Sequence, residues 1–79
     1  MKAPDLSEAR IADLHREVMA QERDLYTFLK GRFPDLPVEE RLKYLAAVLN
    51  DHFDDYRFDA DDELRDEGYV IKRFYPRTR

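Results

Sequence analysis

Few side chains in this sequence are suited to covalent or acid–base chemistry. The 79 residues include no cysteine, two glycines, two histidines (His15 and His52) and a single serine, Ser7. Nucleophilic catalysis needs such a group held beside a base, and Ser7 falls in the first turn of a predicted helix. A phosphate-binding loop needs several closely spaced glycines. We therefore predict that the chain is not an enzyme and that it uses no metal ion or cofactor.

Acidic residues are abundant enough for chemistry by a pair of carboxylates. Such a pair works when two different environments separate the pKa values of its members, and no spacing in the sequence places two carboxylates in an apolar pocket. A small metal-dependent or acid–base enzyme is kept as an alternative. In that alternative, Asp59 and Asp61, or His52, would hold a cation.

Both histidines fall near the apolar faces of predicted helices. His52 lies between Leu49 and Tyr56 on one such face, which favours a histidine hydrogen-bonded to one neighbour in a helix seam. A metal ligand or a pH-sensitive contact is the functional alternative. His15 lies at the edge of the other apolar face. Gln21 and Glu22 interrupt that face at its centre, and a polar layer of this kind fixes helix register more often than it does chemistry. We expect a buried partner such as His52 for this layer.

A run of acidic residues between positions 50 and 67 is the most pronounced feature of the sequence. Residues 35–67 carry twelve acidic and four basic side chains, although the net charge of the whole chain is −4. A calcium loop with Asp59, Asp61 and Glu63 as ligands is a poor fit, because positions 64 and 70 are leucine and valine where such a loop needs glycine and glutamate. The acidic run consists of Asp51, Asp54, Asp55, Asp59, Asp61, Asp62, Glu63, Asp66 and Glu67.

We interpret this run as a docking surface for a partner protein with a basic surface. Clustered acids steer the encounter with a positive surface, and neighbouring aromatic side chains supply contact area. A solvated face that keeps a small protein in solution is the plain alternative. The predicted partner-binding residues are Asp51, Asp54, Asp55, Asp59, Asp61, Asp62, Glu63, Phe53, Tyr56 and Phe58.

The predicted function is that of a small acidic regulatory or inhibitory protein without catalysis. Spaced carboxylates also imitate a row of phosphates, so a nucleic-acid mimic in the basic groove of its partner is one form of this prediction. The last residues, 72–79, carry four basic side chains among aromatic ones, as single-strand binders do. Direct binding of nucleic acid through this tail is the weaker alternative, because the body of the protein is acidic.

Two amphipathic helices are predicted to position these residues. Apolar side chains recur at three- and four-residue steps over the first thirty residues, which predicts one helix over about 6–30. Asp5, with Glu8 three residues on, would cap its N-terminus, with Ser7 as the alternative cap, and Gly31 suits a left-handed cap at its end.

The second helix is predicted over about 37–56. Pro37 suits its first position, where a missing N–H costs nothing. The short link from the first helix predicts that the two pack antiparallel. The apolar stripe of this helix consists of Val38, Leu42, Leu45, Leu49, Phe53 and Tyr56.

The last third of the sequence is predicted to hold a short acidic turn or helix and then an extended segment. Asp59 would cap the helix through Asp66, whereas residues 69–75 are rich in β-branched and aromatic side chains, typical of a strand. That strand would pair with residues 56–58, with a second copy or with a partner. The predicted fold class is therefore mainly α, an antiparallel helical hairpin followed by this acidic turn and strand.

The chain is predicted to form one small domain, residues 1–79, with a marginal core. Two helices share one seam, so either the C-terminal third closes the core or two chains pair, and of these we predict a homodimer in which paired hairpins complete the core. Tyr44 and Val48, exposed on a flank of the second helix, are predicted to form the dimer interface or a second interface. No apolar run is long enough for a membrane helix, and we expect a cytoplasmic location.

Overall fold

The structure, a computed structural model, describes residues 5–77. Three helices come first, α1 (Glu8–Met19), α2 (Leu25–Arg32) and α3 (Val38–His52). A 3-10 turn (Phe53–Asp55) leads into strand β1 (Tyr56–Asp66), which pairs antiparallel with β2 (Tyr69–Pro76). The protein is an α+β fold, so the prediction of a mainly α helical hairpin is wrong. None of the helices within residues 5–77 is long and apolar enough to cross a membrane.

The predicted helix over 6–30 is in fact two helices with a break between them. The hydroxyl of Ser7, one of the two predicted caps, accepts a hydrogen bond from the backbone N–H three residues on and starts α1. Asp24 is buried and caps α2 in the same way, at 3.0 Å. The polar residues 21–23, which interrupt the apolar stripe, lie in the break, where their side chains stay exposed.

The helix predicted over 37–56 is α3, which ends at His52, four residues before its predicted end. The 3-10 turn and then a strand follow it. Tyr56 has extended backbone (φ −124°, ψ 151°) and begins β1. Residues 59–66, predicted as an acidic turn or helix, belong to β1, because the β-branched and aromatic residues of β2 offer them a neighbouring strand. The strand predicted over 69–75 is present as β2 and pairs with 56–58, one of the three pairings left open by the sequence.

The β-hairpin has a tight turn at one end and a bulge in the middle. Its two turn residues, Glu67 (φ 49°) and Gly68 (φ 86°), have positive φ, as hairpin turns of the primed type require. Residues 59–62 bulge outward, because the register jumps from Phe58↔Phe74 to Glu63↔Lys72. The bulge therefore projects three aspartates and one alanine from the strand.

The hairpin closes the core of the helices. The larger apolar cluster gathers side chains of all three helices around Tyr56, and the smaller one joins Tyr26 and Val38 to Ile71. Tyr56 and Ile71, both from the hairpin, are almost fully buried. The helix faces that we predicted a second chain would cover are thus covered by the protein's own C-terminal third.

The buried face of α3 differs from the predicted stripe. It lies about 100° around the helix from the predicted leucines, the angle that one residue spans. Tyr44 and Val48 are core residues, 5% and 0% exposed, so their prediction as an exposed interface is wrong. Both stripes satisfy helical spacing, and the local pattern did not distinguish them. The buried side chains of α3 are Val38, Arg41, Tyr44 and Val48.

Candidate functional site

The predicted partner-binding acids lie where α3 meets the β-hairpin. Asp51 is in the last turn of α3, Asp54 and Asp55 are in the 3-10 turn, and the others follow along β1. All of them are exposed except Asp62, which is partly buried. The charge of the run is therefore carried by a turn and a bulge rather than by a helix face.

Part of the acidic run is paired with cations of the same chain. Lys72 Nζ lies 2.8 Å from Glu63 Oε2, and Arg73 Nε lies 3.5 Å from Asp62 Oδ1. The hydrogen bond and charge of Lys72 lower the pKa of the Glu63 carboxyl. Lys72 and Arg73 of β2 thus pair with Glu63 and Asp62, at the end of the bulge nearer the hairpin turn. Arg79, the last base of the predicted tail, lies outside the described residues.

The rest of the run keeps its charge. Asp59 accepts a hydrogen bond from the Asp61 N–H (2.9 Å), which orders the bulge without cancelling either charge. Among residues 5–77, five acids of the run form no ion pair: Asp51, Asp54, Asp59, Asp61 and Glu67.

Two predicted aromatic anchors are exposed and the third is not. Phe53 and Phe58 are 52% and 51% exposed, and both contact Phe74, with ring centroids 6.5 and 5.1 Å from it. Tyr56 lies in the core and is not available to a partner. We define the acidic–aromatic surface as the exposed residues Phe53, Phe58, Asp54, Asp59 and Asp61 together with the partly buried Phe74.

A second cluster brings both histidines to one carboxylate. His15 of α1, His52 of α3 and Asp55 each offer a ligand atom, and these atoms lie within 4.8 Å of one another. The two imidazole rings are stacked, with centroids 3.9 Å apart and planes 2° from parallel. The structure therefore places His52 against His15, whereas Gln21 and Glu22 of the predicted polar layer are exposed in the break between α1 and α2.

His15 is held at both ring nitrogens. Its Nε2 lies 3.2 Å from Asp55 Oδ2, and its Nδ1 lies 3.0 Å from the Tyr56 hydroxyl. Burial, followed by the neighbouring His52, lowers the pKa of His15, and Asp55 opposes this with a smaller effect. The lowered pKa favours the uncharged ring. In an uncharged ring that carries Nε2–H toward Asp55, Nδ1 accepts a hydrogen bond from the Tyr56 hydroxyl.

Asp66 belongs to the acidic run by sequence but lies against the helices. Its carboxylate accepts a hydrogen bond from the Tyr26 hydroxyl (2.6 Å) and lies 3.2 Å from Lys30 Nζ and 3.8 Å from Arg41 Nη2. The hydrogen bond from Tyr26 is the main cause of the lowered pKa of Asp66. Sequence reasoning missed this cluster. The one sign of this cluster in the sequence was Arg41, a charged residue three positions after Val38 and therefore on the same face of the helix.

These features offer two kinds of binding chemistry. The acidic–aromatic surface combines the exposed rings of Phe53 and Phe58 with carboxylates, and the histidine cluster offers nitrogen and oxygen ligand atoms for a metal ion. Asp59, Asp61 and Glu63, the residues of the calcium-loop alternative, do not form such a ligand cluster within the described part of the chain. No family model matches this protein, and no curated protein or solved structure is significantly similar to it.

Proposed function

We propose that this protein is a non-catalytic binding module that docks a basic segment of another protein on the acidic–aromatic surface. The observation that carries the proposal is that Phe53 and Phe58 stay half exposed around Phe74, beside acids that lack a cation among the described residues. Contiguous exposed apolar groups with a polar rim are typical of interaction sites.

The partner that fits this surface presents lysine or arginine around an apolar side chain. Its cations would face Asp54, Asp59 and Asp61, and its apolar group would pack against Phe53 and Phe58. Exposed charges set the encounter rate and the specificity, whereas desolvated aromatic contacts supply most of the affinity. A basic groove that normally holds nucleic acid is one surface of this kind, so mimicry of nucleic acid falls within the proposal.

Direct binding of nucleic acid by the C-terminal cations has less support. Lys72 and Arg73 are engaged by Glu63 and Asp62. Counterion release from nucleic acid needs cations that are free to contact phosphates. Internal pairing therefore weakens this alternative.

The docking proposal is tested by capture from a native lysate with four immobilised chains. These are the wild type, Phe58→Ala, the double variant Asp59→Asn with Asp61→Asn, and Val70→Ala. Val70 is 50% exposed and lies on the hairpin outside the acidic–aromatic surface, so it is the matched control. We expect proteins with basic surfaces to be captured by the wild type and Val70→Ala.

Affinity measurements on the captured protein complete the test. Removal of a central aromatic contact costs about 2 kcal/mol of binding free energy. We therefore expect Phe58→Ala to bind the captured protein roughly 30-fold more weakly than the wild type does. Binding should also weaken as salt rises from about 0.05 to 0.5 M, because exposed charges are screened. Equal capture by all four chains, or an affinity independent of salt, would refute the docking surface.

A further inference from the structure

We propose that His15, His52 and Asp55 form a zinc site at the junction of α1, α3 and the 3-10 turn. This inference goes beyond docking and uses residues that the proposed partner does not need. The three side chains come from three separate elements, yet one ligand atom of each lies within 4.8 Å of the others.

The spacing of His15 and Asp55 already suits a tetrahedral metal ion. Zinc binds nitrogen and oxygen at about 2.0–2.1 Å, which puts two ligands of a tetrahedron about 3.3 Å apart. His15 Nε2 and Asp55 Oδ2 are 3.2 Å apart. The separation of these two atoms therefore matches that of two ligands on one tetrahedral zinc ion.

Tyr56 supplies the outer hydrogen bond that a zinc-bound imidazole needs. Metal-binding histidines usually donate their second ring N–H to a neighbouring oxygen. With zinc on His15 Nε2, the proton moves to Nδ1, which then donates to the Tyr56 oxygen 3.0 Å away. A tyrosine hydroxyl both donates and accepts, so the same contact serves the free and the metal-bound ring.

His52 is the ligand that must rotate. Its ring is stacked on His15, with one ring nitrogen within 4.8 Å of the other two ligand atoms, so a turn of the side chain is needed to bring that nitrogen to the third corner of the tetrahedron. An open groove of about 370 Å³ between α1 and α3 is lined by His52, so this side chain borders open space.

The ligand set selects the metal. Two imidazoles with one carboxylate suit zinc, whereas calcium and magnesium prefer oxygen ligands. Because the ligands come from α1, α3 and the 3-10 turn, the ion would link the helices to the start of the hairpin.

The test is a titration of the metal-free, untagged full chain with zinc chloride, followed by NMR of the histidine rings and by thermal unfolding. The chain has two histidines, so each set of ring signals is followed separately. We expect both rings to shift until one equivalent is bound. At free zinc 100-fold above Kd, the folded-to-unfolded ratio rises about 100-fold. Calcium at the same concentration should change neither readout.

Variants assign the ligands. His52→Gln, at a partly exposed position, and Asp55→Asn should each weaken zinc binding about tenfold or more. Asp13→Asn removes an exposed charge from α1 outside the cluster and should leave zinc affinity unchanged. Zinc that shifts neither histidine, or that binds His52→Gln as tightly as the wild type, overturns the site. The docking test stands apart, because it alters only Phe58, the two bulge acids Asp59 and Asp61, and Val70.

Discussion

At the level of single residues, the acidic run divides into carboxylates that hold the fold and carboxylates that face solvent. Asp66 joins the end of the hairpin to α2 and α3 through Tyr26, Lys30 and Arg41. Arg41 is almost fully buried, and its Nε and Nη1 have no hydrogen-bond partner among the described residues. Since a buried charge without its counter-charge is strongly destabilising, Asp66 serves stability and Asp59 does not.

The Tyr26 hydroxyl is predicted to stabilise the protein through this cluster. Tyr26→Phe removes its hydrogen bond to the Asp66 carboxylate, and we expect the free energy of unfolding at pH 7 to fall by about 1 to 3 kcal/mol. Tyr69→Phe is the matched control, because the Tyr69 hydroxyl also donates to a carboxylate, that of Glu39, but at an exposed site. Urea unfolding of both variants measures the difference.

The pH dependence of that loss follows from the lowered pKa of Asp66. A carboxyl with a lowered folded-state pKa stabilises the protein above its unfolded value of 3.8 and stops doing so as the pH falls through the folded value. The gap between wild type and Tyr26→Phe should therefore shrink as the pH falls below about 3.8. An equal loss for the two tyrosine variants at pH 7 would contradict this role.

At the level of elements, the two glycines of the chain differ in backbone conformation. Gly31 was predicted to end a helix in the left-handed conformation, but α2 continues through it to Arg32. Gly68 has a φ of 86° in the hairpin turn, a backbone conformation that residues with a Cβ atom rarely adopt. An added Cβ would meet no heavy atom within 4 Å at either position, so the backbone alone decides the outcome.

Alanine at the two glycines is predicted to have effects of opposite sign. Gly31→Ala should stabilise the protein by about 0.5 to 1 kcal/mol, because alanine favours the helix and restricts the unfolded chain. Gly68→Ala should destabilise it by about 1 kcal/mol or more, because of the positive φ. Thermal or urea unfolding of the pair is the measurement. Stabilisation by Gly68→Ala would contradict the hairpin turn described here.

At the level of the whole molecule, the hairpin does what a second chain was predicted to do. The homodimer prediction rested on two helices whose apolar faces lacked a partner. In the structure, Tyr56 and Ile71 of the hairpin pack against the helices in the two apolar clusters. The radius of gyration is 11.9 Å, close to the roughly 11.6 Å expected for a compact chain of this length. The acidic–aromatic surface, carried by both copies, would also repel itself.

We therefore expect a monomer of 9.5 kDa in solution. Sedimentation at two protein concentrations that differ about 100-fold tests this, in metal-free buffer at moderate salt. A mass that rises toward twice the monomer value at the higher concentration would restore the homodimer.

Several local features of the protein follow from the sequence alone. These are the cap at Ser7, the start of α3 after Pro37, the strand near 69–75 and the acidic run itself. Each depends on side-chain types and spacing within a few residues, which fix backbone preferences and charge without any distant partner.

Other features were decided only in the tertiary structure. Two stripes of apolar side chains lie 100° apart on α3 and have equally good helical spacing. The stripe with Tyr44 and Val48 is the buried one, because that side of α3 packs against α1, α2 and the hairpin. Residues 63–66 became strand because β2, which pairs with them across the hairpin turn, offered backbone partners. The meeting of His15 with Asp55, forty residues later, likewise depends on how the helices and hairpin pack, since contacts between distant segments are set by the whole core and not by local pattern.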